Sequence, residues 1–416
     1  MMKKALIVAS FWGHEKHIGN LRVDRFVRWL VEDGYYVCIV RAGSVDGQKD
    51  TVFGQVITIR DPLGLYRDRE PSETATSFAR KPNKLRRKLA YRLFCPDPEI
   101  VWGWRVSRSR KVAEALDDAN FILSSNPPES AHLTAWKLSR TFDVPHIVDM
   151  RDGWIDEPLK PLLRSSTFRR WQEGRLERRI IEDAAYVYVT SEKWQELLCK
   201  RFQNIREKII VLTNGYPLLK VPTNSQIEKS ANNIKIIHAG RFLGSRDSQN
   251  PEFLLKKLLE FIEIVESRGE IEFIGDLSSE DYSLIEPFTF KIKNLGWNFI
   301  VKKSISRDLL FKIFSSSSTS GFLLLCVSNA SIPGKIFEYT LFKKPIFVVT
   351  ERDSATWNMC KKLPQAFLFD IISNNNREDF ERFYQAIISK DFVGIAPEEY
   401  SEKYLAQVML NAVRKI

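Results

Sequence analysis

The feature that most constrains the fold is a repeated alternation of short apolar runs with longer amphipathic stretches. Runs rich in Val and Ile, such as 5–10 and 36–42, alternate with stretches of helical periodicity, such as 20–33 and 129–141. This alternation is typical of a parallel sheet covered by helices. The sequence therefore predicts an α/β fold, in which Ile292 to Trp297 is expected to be one of the strands.

The alternation is interrupted once, between residues 214 and 233, where proline, glycine and asparagine replace the periodic pattern. Such a composition is typical of a linker. Because single hydrophobic cores rarely grow beyond about 250–300 residues, a chain of this length is expected to divide. We predict two Rossmann-like domains facing a central cleft. The predicted ranges are residues 1–214 and 234–396 for the domains, 215–233 for the linker, and 397–416 for a terminal helix that packs back on the first domain.

Composition and missing motifs exclude several function classes. The 416 residues contain no apolar run long enough to cross a membrane, and the five cysteines are scattered without a C-x-x-C pair, which favours the cytoplasm. No G-x-G fingerprint, Walker A loop or nucleophile elbow is present. The basic residues follow no nucleic-acid-binding pattern. His14 and His17 have no third ligand nearby, so they are either surface histidines or part of a metal site, and we predict no metal.

One segment, Arg80 to Phe94, carries seven basic residues, no acidic ones and leucines at 85, 89 and 93. This pattern predicts a basic amphipathic helix. Two interpretations remain open: a solvated helix that covers the first sheet, or one that docks on an anionic membrane. The net charge of +11 suits an anionic surface or a polyphosphate ligand.

Two loops in the second half follow predicted strands, where α/β sheets bind ligands. After the strand 234–240, Gly240 allows a turn, and Arg241 and Arg246 follow with guanidinium groups suited to a diphosphate. After the strand 321–327, a helix begins at Pro333 and Gly334, and helix N-termini favour anions. Glu338 lies one turn further on and could accept hydrogen bonds from a ribose diol. Exposed surface positions are the alternative interpretation for the arginines and for Glu338.

A third group of polar residues follows the strand 146–150 in the first half. Asp149, Arg151, Asp152 and Trp154 should emerge at its carboxyl end, where carboxylates could bind and position a hydroxyl group. An internal ion pair is the alternative for Asp149 and Arg151. His132, within a predicted helix, is expected to be a packing residue.

The strings HAGRFLGSRDSQNPEFLLKKL and SNASIPGKIFEYTLFKKPIFVV resemble the donor-binding half of GT-B glycosyltransferases of the family 4 type, as found in bacterial polysaccharide biosynthesis. NPPESAHLTAWKLSRTFDVPHIVDMRDGW and the first loop, 11–19, resemble the acceptor half. The resemblance implies three sets of residues. The donor set is Gly19, Gly240, Arg241, Arg246, Pro333, Gly334, Lys335 and Glu338; the acceptor set is His14, Asp149, Arg151, Asp152 and Trp154; the catalytic set is Asp152, Arg241 and Arg246.

The expected reaction moves a sugar from a nucleotide-diphosphate sugar to a lipid-linked saccharide, with retention of configuration and without a cofactor. Arg241, Arg246, Lys335 and the helix N-terminus would stabilise the leaving diphosphate in place of a metal. The family often carries a further glutamate eight positions before Glu338, where this chain has Ala330. Two alternatives stay open: a UDP-sugar 2-epimerase, and a non-catalytic scaffold that binds nucleotide sugars. The expected location is the cytoplasm, with peripheral attachment to the inner face of the cell membrane.

Overall fold

The computed structural model describes residues 3–13, 20–64, 84–156, 166–218, 234–242, 250–265, 267–373 and 376–416. The chain divides into two compact units. The first unit comprises residues 1–190, 194–212 and 406–416, and the second comprises 191–193 and 213–405. The main division thus follows residue 212, close to the predicted boundary at 214. The terminal segment joins the first unit from residue 406, whereas the expected terminal helix begins at 397.

The first unit is built on a sheet in which eight strands lie within the described residues. Their order is β3-β4-β2-β1-β5-β6-β7-β8, and every neighbouring pair is parallel except β3 with β4. Parallel neighbours require crossover connections, which the alternating helices provide. The strands are β1 (Lys3–Val8), β2 (Tyr35–Gly43), β3 (Gly47–Thr51), β4 (Gly54–Arg60), β5 (Phe121–Ser125), β6 (His146–Met150), β7 (Tyr186–Val189) and β8 (Ile209–Val211).

Helices pack against this sheet through their apolar stripes. In α1, the residues Val23, Phe26, Val27 and Leu30 are buried at helical spacing, as the amphipathic pattern predicts. The helices of this unit are α1 (Asn20–Glu32), α2 (Lys84–Leu93), α3 (Ile100–Val106), α4 (Arg110–Leu116), α5 (Glu129–Phe142), α6 (Thr167–Asp183) and α7 (Glu192–Arg201).

The second unit contains a parallel sheet of order β11-β10-β9-β12-β13-β14 within the described residues. Successive strand residues enter different cores: Ile236 and Leu323 pack in one cluster, whereas Ile237 and Phe322 pack in another. Both faces are therefore covered, as the continuous apolar runs require. The strands are β9 (Ile234–Ala239), β10 (Gly269–Ile274), β11 (Trp297–Lys302), β12 (Gly321–Cys326), β13 (Ile346–Thr350) and β14 (Ala366–Asp370). The helices are α8 (Pro251–Val265), α9 (Ser279–Asn294), α10 (Arg307–Ser315), α11 (Gly334–Leu341), α12 (Ala355–Cys360) and α13 (Arg377–Ile388). The terminal α14 (Glu402–Val413) begins in the second unit and belongs to the first from residue 406.

The predicted α/β fold with two parallel-sheet domains is confirmed. One element differs: the strand expected over 292–297 is wrong, because α9 continues to Asn294 and buries Ile292 as a helical residue. Gly296, at φ +83°, then makes the turn into β11. The structure describes a helix within the basic segment, α2, from Lys84 to Leu93. Among the described residues, no helix combines the length and the apolar character needed to cross a membrane.

Candidate functional site

The two strand-end loops of the second unit meet at Gly240 and Lys335. Gly240 follows β9 at φ +116°, and a Cβ atom there would overlap the end of the Lys335 side chain. The Gly240 amide donates to Ile274 O at 2.7 Å, which holds this backbone against β10. The position therefore requires glycine for its backbone conformation and for the space that Lys335 occupies.

The buried hydroxyl of Tyr339 attaches α11 to the end of β9. It accepts a hydrogen bond of 3.0 Å from the Ala239 amide. Tyr339 is fully buried and stacks on Phe322 of β12, with ring centroids 4.5 Å apart. Because Tyr339 lies one helical turn after Lys335, this contact sets the first turn of α11 beside Gly240.

Lys335 is a half-buried cation without a hydrogen-bonding or ion-pairing partner among the described residues. Burial lowers the pKa of its ammonium group to about 8, although the charge of Glu338 opposes the shift. A desolvated ammonium is costly, and a bound anion would offset that cost. Pro333 and Gly334 place the N-terminus of α11 beside this cation.

Glu338 is held by a residue that the sequence did not single out. Its Oε1 accepts a hydrogen bond of 2.6 Å from Arg307 Nη2, at the start of α10. The Arg307 guanidinium also lies over the Phe311 ring, 5.0 Å from its centroid, which fixes its position. Sequence spacing could not reveal the pair, since 31 residues separate its members. The carboxylate is thus oriented, with Oε1 occupied by Arg307.

Arg241 extends the same loop into solvent. Its Nη2 lies 3.1 Å from Asp276 Oδ2, and both side chains are about half exposed. The pKa of Asp276 is lowered, mainly by the hydrogen bond from the Ser304 hydroxyl and also by Arg241. Exposed pairs of this kind contribute little to stability, so Arg241 can exchange partners at small cost. Arg246, the second predicted arginine, lies outside the described residues.

His238, inside β9, is buried next to this cluster. Its Nδ1 lies 3.1 Å from Leu323 O, and its ring stacks on Phe242 with centroids 4.3 Å apart. Burial, with a contribution from the Lys335 charge, lowers its pKa well below the ordinary value. A neutral ring that donates from Nδ1 leaves Nε2 as an acceptor.

In the first unit, Asp149 proves to be part of a buried ion pair. It is fully buried, its Oδ1 accepts from Arg22 Nη2 at 2.7 Å, and its Oδ2 accepts from Ser125 Oγ at 2.7 Å. Arg22 also donates to Leu212 O at 2.9 Å, which ties α1 to the end of β8. The expected acceptor contact is therefore unavailable to Asp149, whose partner is Arg22 and not Arg151. The Arg22–Asp149 ion pair therefore joins α1 to the carboxyl ends of β6 and β8.

Trp154 is likewise a core residue. It is 1% exposed and its Nε1 donates to Glu173 Oε2 at 2.9 Å, so it has no face for an acceptor. His132 is fully buried in α5, with Nδ1 2.7 Å from Ser124 Oγ. Its predicted packing position agrees with this placement. Asp152 is exposed, whereas His14 and Gly19 lie outside the described residues.

Arg151 lines a small depression at the carboxyl ends of β1 and β5. The depression is also lined by Phe11, Trp12, Asn20, Ser125 and Pro127. Burial lowers the pKa of the Arg151 guanidinium, although the charges of Asp152 and Asp149 oppose the shift. The N-terminus of α1 at Asn20 belongs to the same depression, and both features favour an anionic group.

Within the described ranges, no group of three or more His, Cys, Asp or Glu side chains is arranged to hold a metal ion. In the second unit, the structure places Lys335 against Gly240 and Arg307 against Glu338, while Arg241 follows Gly240 and pairs with Asp276. Their pattern, a cation and helix amides beside an oriented carboxylate, matches the needs of an anionic ligand with hydroxyl groups.

Comparison with known proteins identifies the fold. Residues 19–215 match the family model described as "Glycosyl transferase 4-like domain". A comparison with curated protein sequences gave no match.

Solved structures resemble the chain along its whole length. Anabaena Alr3699/HepE in complex with UDP superimposes with a TM-score of 0.58 at 14% identity, covering 100% of both chains. The E. coli trehalose-6-phosphate structure bound with UDP-2-fluoro glucose has a TM-score of 0.54 at 11% identity, covering 100% of this chain and 99% of the other. A putative UDP-N-acetylglucosamine 2-epimerase from Listeria monocytogenes has a TM-score of 0.51 at 11% identity, with coverages of 100% and 96%. Residues 19–215 are therefore similar to the glycosyl transferase 4-like domain family, and the chain has the GT-B fold of the glycosyltransferases that it resembles.

Proposed function

We propose that the second unit binds a nucleoside diphosphate sugar, with UDP as the nucleotide, and that the first unit presents a saccharide acceptor. The observation that carries this proposal is the placement of unpartnered Lys335 against Gly240, one helical turn from Glu338. The structures of Anabaena Alr3699/HepE with UDP and of the E. coli protein with UDP-2-fluoro glucose support the choice of nucleotide.

In the proposed reaction, the sugar leaves a diphosphate that gains negative charge as the glycosidic bond breaks. Lys335, Arg241 and the N-terminus of α11 would stabilise that charge, and Arg246 is proposed to join them. Glu338, oriented by Arg307, would accept hydrogen bonds from the ribose hydroxyls. Catalysis by these groups needs no metal or cofactor, so we propose a metal-independent transfer.

For the acceptor, we propose a lipid-linked saccharide of a bacterial surface polysaccharide, at the inner face of the cell membrane. Arg151 and the N-terminus of α1 offer a site for an anionic group, such as the phosphate that joins sugar and lipid. The exposed Asp152 lies next in the chain and is proposed to position the attacking hydroxyl. His14 and Gly19 are proposed to complete this side of the site. The basic helix α2 is proposed to face the anionic membrane.

The donor site is tested first by thermal unfolding with UDP-, GDP-, TDP- and CMP-sugars in the presence of EDTA. A ligand that binds only the native state raises its unfolding temperature. We expect a shift with UDP-sugars that is reduced in Arg241→Ala and Glu338→Ala, since a charge-assisted hydrogen bond contributes about 1.5–3 kcal/mol. Unchanged shifts in both variants would contradict the assignment. Asp152→Asn, the matched control, should keep the shift and lose transfer.

The two alternative functions, epimerase and scaffold, can be distinguished from a glycosyltransferase by product analysis. A UDP-sugar 2-epimerase would isomerise the nucleotide sugar without any acceptor, and the Listeria monocytogenes structure makes this comparison relevant. A non-catalytic scaffold would bind the nucleotide sugar without turnover. The scaffold alternative is relevant because position 330, eight residues before Glu338, holds an alanine where the family often has a glutamate. Ala330 is buried, and its carbonyl accepts a hydrogen bond from Ser191 Oγ at 2.6 Å. Incubation of UDP-sugars with and without lipid-linked acceptors, followed by product analysis, separates the three functions.

A further inference from the structure

Helix α6 exposes an aromatic pair that no part of the donor or acceptor site uses. Phe168 is 65% exposed and Trp171 is 56% exposed. Their rings stack with centroids 6.0 Å apart and an interplanar angle of 24°, so the pair forms one flat apolar surface. Large apolar side chains that are exposed together are unusual on a helix surface, and they are typical of a site that contacts a membrane or another protein.

The pair lies beside positive charge. The Arg175 guanidinium lies over the Trp171 ring, 5.0 Å from its centroid. Arg175 and Arg179 are exposed on the same helix, and neither has an acidic partner among the described residues. Trp and Phe that sit beside arginines suit the interface of an anionic bilayer, where rings enter the headgroup region and guanidinium groups meet phosphates.

A second exposed apolar group flanks the same region. In α2, Leu89 is 55% exposed and Leu93 is 69% exposed, one helical turn apart, and Arg92 between them is also exposed. The chain after α2 is fastened to the first turn of α6, since Arg169 Nη2 donates to Pro96 O at 2.6 Å. Leu93 is only three residues from that contact. The exposed leucines and the exposed aromatic pair therefore flank one fixed junction of the first unit.

We propose that Phe168, Trp171, Leu89, Leu93 and the neighbouring arginines form one surface that docks on an anionic lipid bilayer. Charge complementarity selects this occupant, because Arg175 and Arg179 add positive charge beside the aromatic pair without an acidic partner among the described residues, although Arg170 and Arg178 pair with Asp156 and Glu182. The surface extends the proposed function, whose lipid-linked acceptor would be reached from it. It rests on exposure and charge, so it can fail while the donor site stands.

The test is co-sedimentation of the full chain with vesicles of phosphatidylcholine alone and with added phosphatidylglycerol. We expect binding to the anionic vesicles that weakens as salt is raised. In Phe168→Ser/Trp171→Ser, binding should fall at least about tenfold, because loss of only about 60 Å² of buried apolar surface corresponds to a factor of ten. The matched control is Phe290→Ser, since Phe290 is 70% exposed on α9 of the second unit; it should bind as the wild type does.

A variant that removes charge separates the two contributions. Arg175→Gln/Arg179→Gln should reduce the preference for anionic vesicles and keep the aromatic contribution. Equal binding of the wild type and the aromatic double variant would overturn the proposal, as would no binding of the wild type to anionic vesicles. A chain dimer that the aromatic variant disrupts, without vesicle binding, would assign the surface to a protein partner instead. Circular dichroism and UDP binding of each variant distinguish loss of docking from loss of folding or of the donor site.

Discussion

Lys335 offers the sharpest prediction, because its pKa should couple nucleotide binding to pH. Burial lowers the pKa of the free ammonium group to about 8. A bound diphosphate favours the charged form, so it must raise that pKa. Binding above pH 8 therefore takes up a proton, and affinity for UDP should be highest below pH 8 and fall as the pH rises through that value.

The size of the effect follows from the protonated fraction. With a pKa of about 8, roughly nine-tenths of the free protein carries the charge at pH 7 and roughly one-tenth at pH 9. The affinity for UDP should thus fall about tenfold between these pH values, which corresponds to about 1.4 kcal/mol.

Isothermal titration calorimetry with UDP at several pH values measures this slope, and buffers of different ionisation enthalpy report the proton uptake. The matched control is Lys335→Met, which removes the ammonium group and keeps most of the side-chain volume. At pH 7 the variant should bind UDP more weakly by about 1.5–3 kcal/mol. Its affinity should also lack the wild-type slope, apart from any titration of UDP itself. An identical slope in the wild type and in Lys335→Met would refute the reasoning.

Three further predictions follow from the same contacts. Asp149→Asn should lower the free energy of unfolding by about 3–5 kcal/mol, because it leaves the buried Arg22 charge uncompensated, and urea unfolding measures the loss; a change below 1 kcal/mol would show that the pair is not needed. Arg307→Gln should weaken UDP binding without loss of folding, since Glu338 loses the partner at 2.6 Å that orients it, and calorimetry with uridine as the comparison ligand checks it; equal UDP affinity would remove Arg307 from the site. Burial and the charge of Glu129 raise the pKa of Asp97 to about 6, and burial and the charge of Asp97 raise the pKa of Glu99; unfolding free energy should therefore fall as the pH rises from about 4 to about 6, by about 1.4 kcal/mol for each pH unit by which a pKa is raised, and Asp97→Asn should flatten that dependence.

The regular elements could be predicted because their signal is local. Continuous Val- and Ile-rich runs encode strands buried on both faces, and the helices between them keep a periodic apolar stripe. The exception, residues 292–297, contains the end of one apolar helical stripe followed by a glycine turn. Over six residues such a stretch cannot be distinguished from a strand by periodicity.

Site residues could be predicted only where they lie in or just after the loops that follow strands. Gly240 directly follows β9, and Lys335 lies in the first turn of the helix that follows β12, so both are expected at the carboxyl edge of the parallel sheet. Arg22 and Asp149 are 127 positions apart, and no local pattern connects them. Trp154 illustrates the same limit, since its indole donates to Glu173, which lies 19 residues further along the chain in α6. Contacts between residues that are far apart in the sequence cannot be predicted from residue spacing.

A crystal structure of the chain with UDP, grown in the presence of EDTA, would locate the donor site. We expect phosphate oxygens within hydrogen-bonding distance of Lys335 Nζ and of the Arg241 guanidinium. We also expect the ribose hydroxyls at the Glu338 carboxylate, with its contact to Arg307 kept. UDP bound away from Gly240 and Lys335, or no binding unless a metal is supplied, would contradict the proposed donor site.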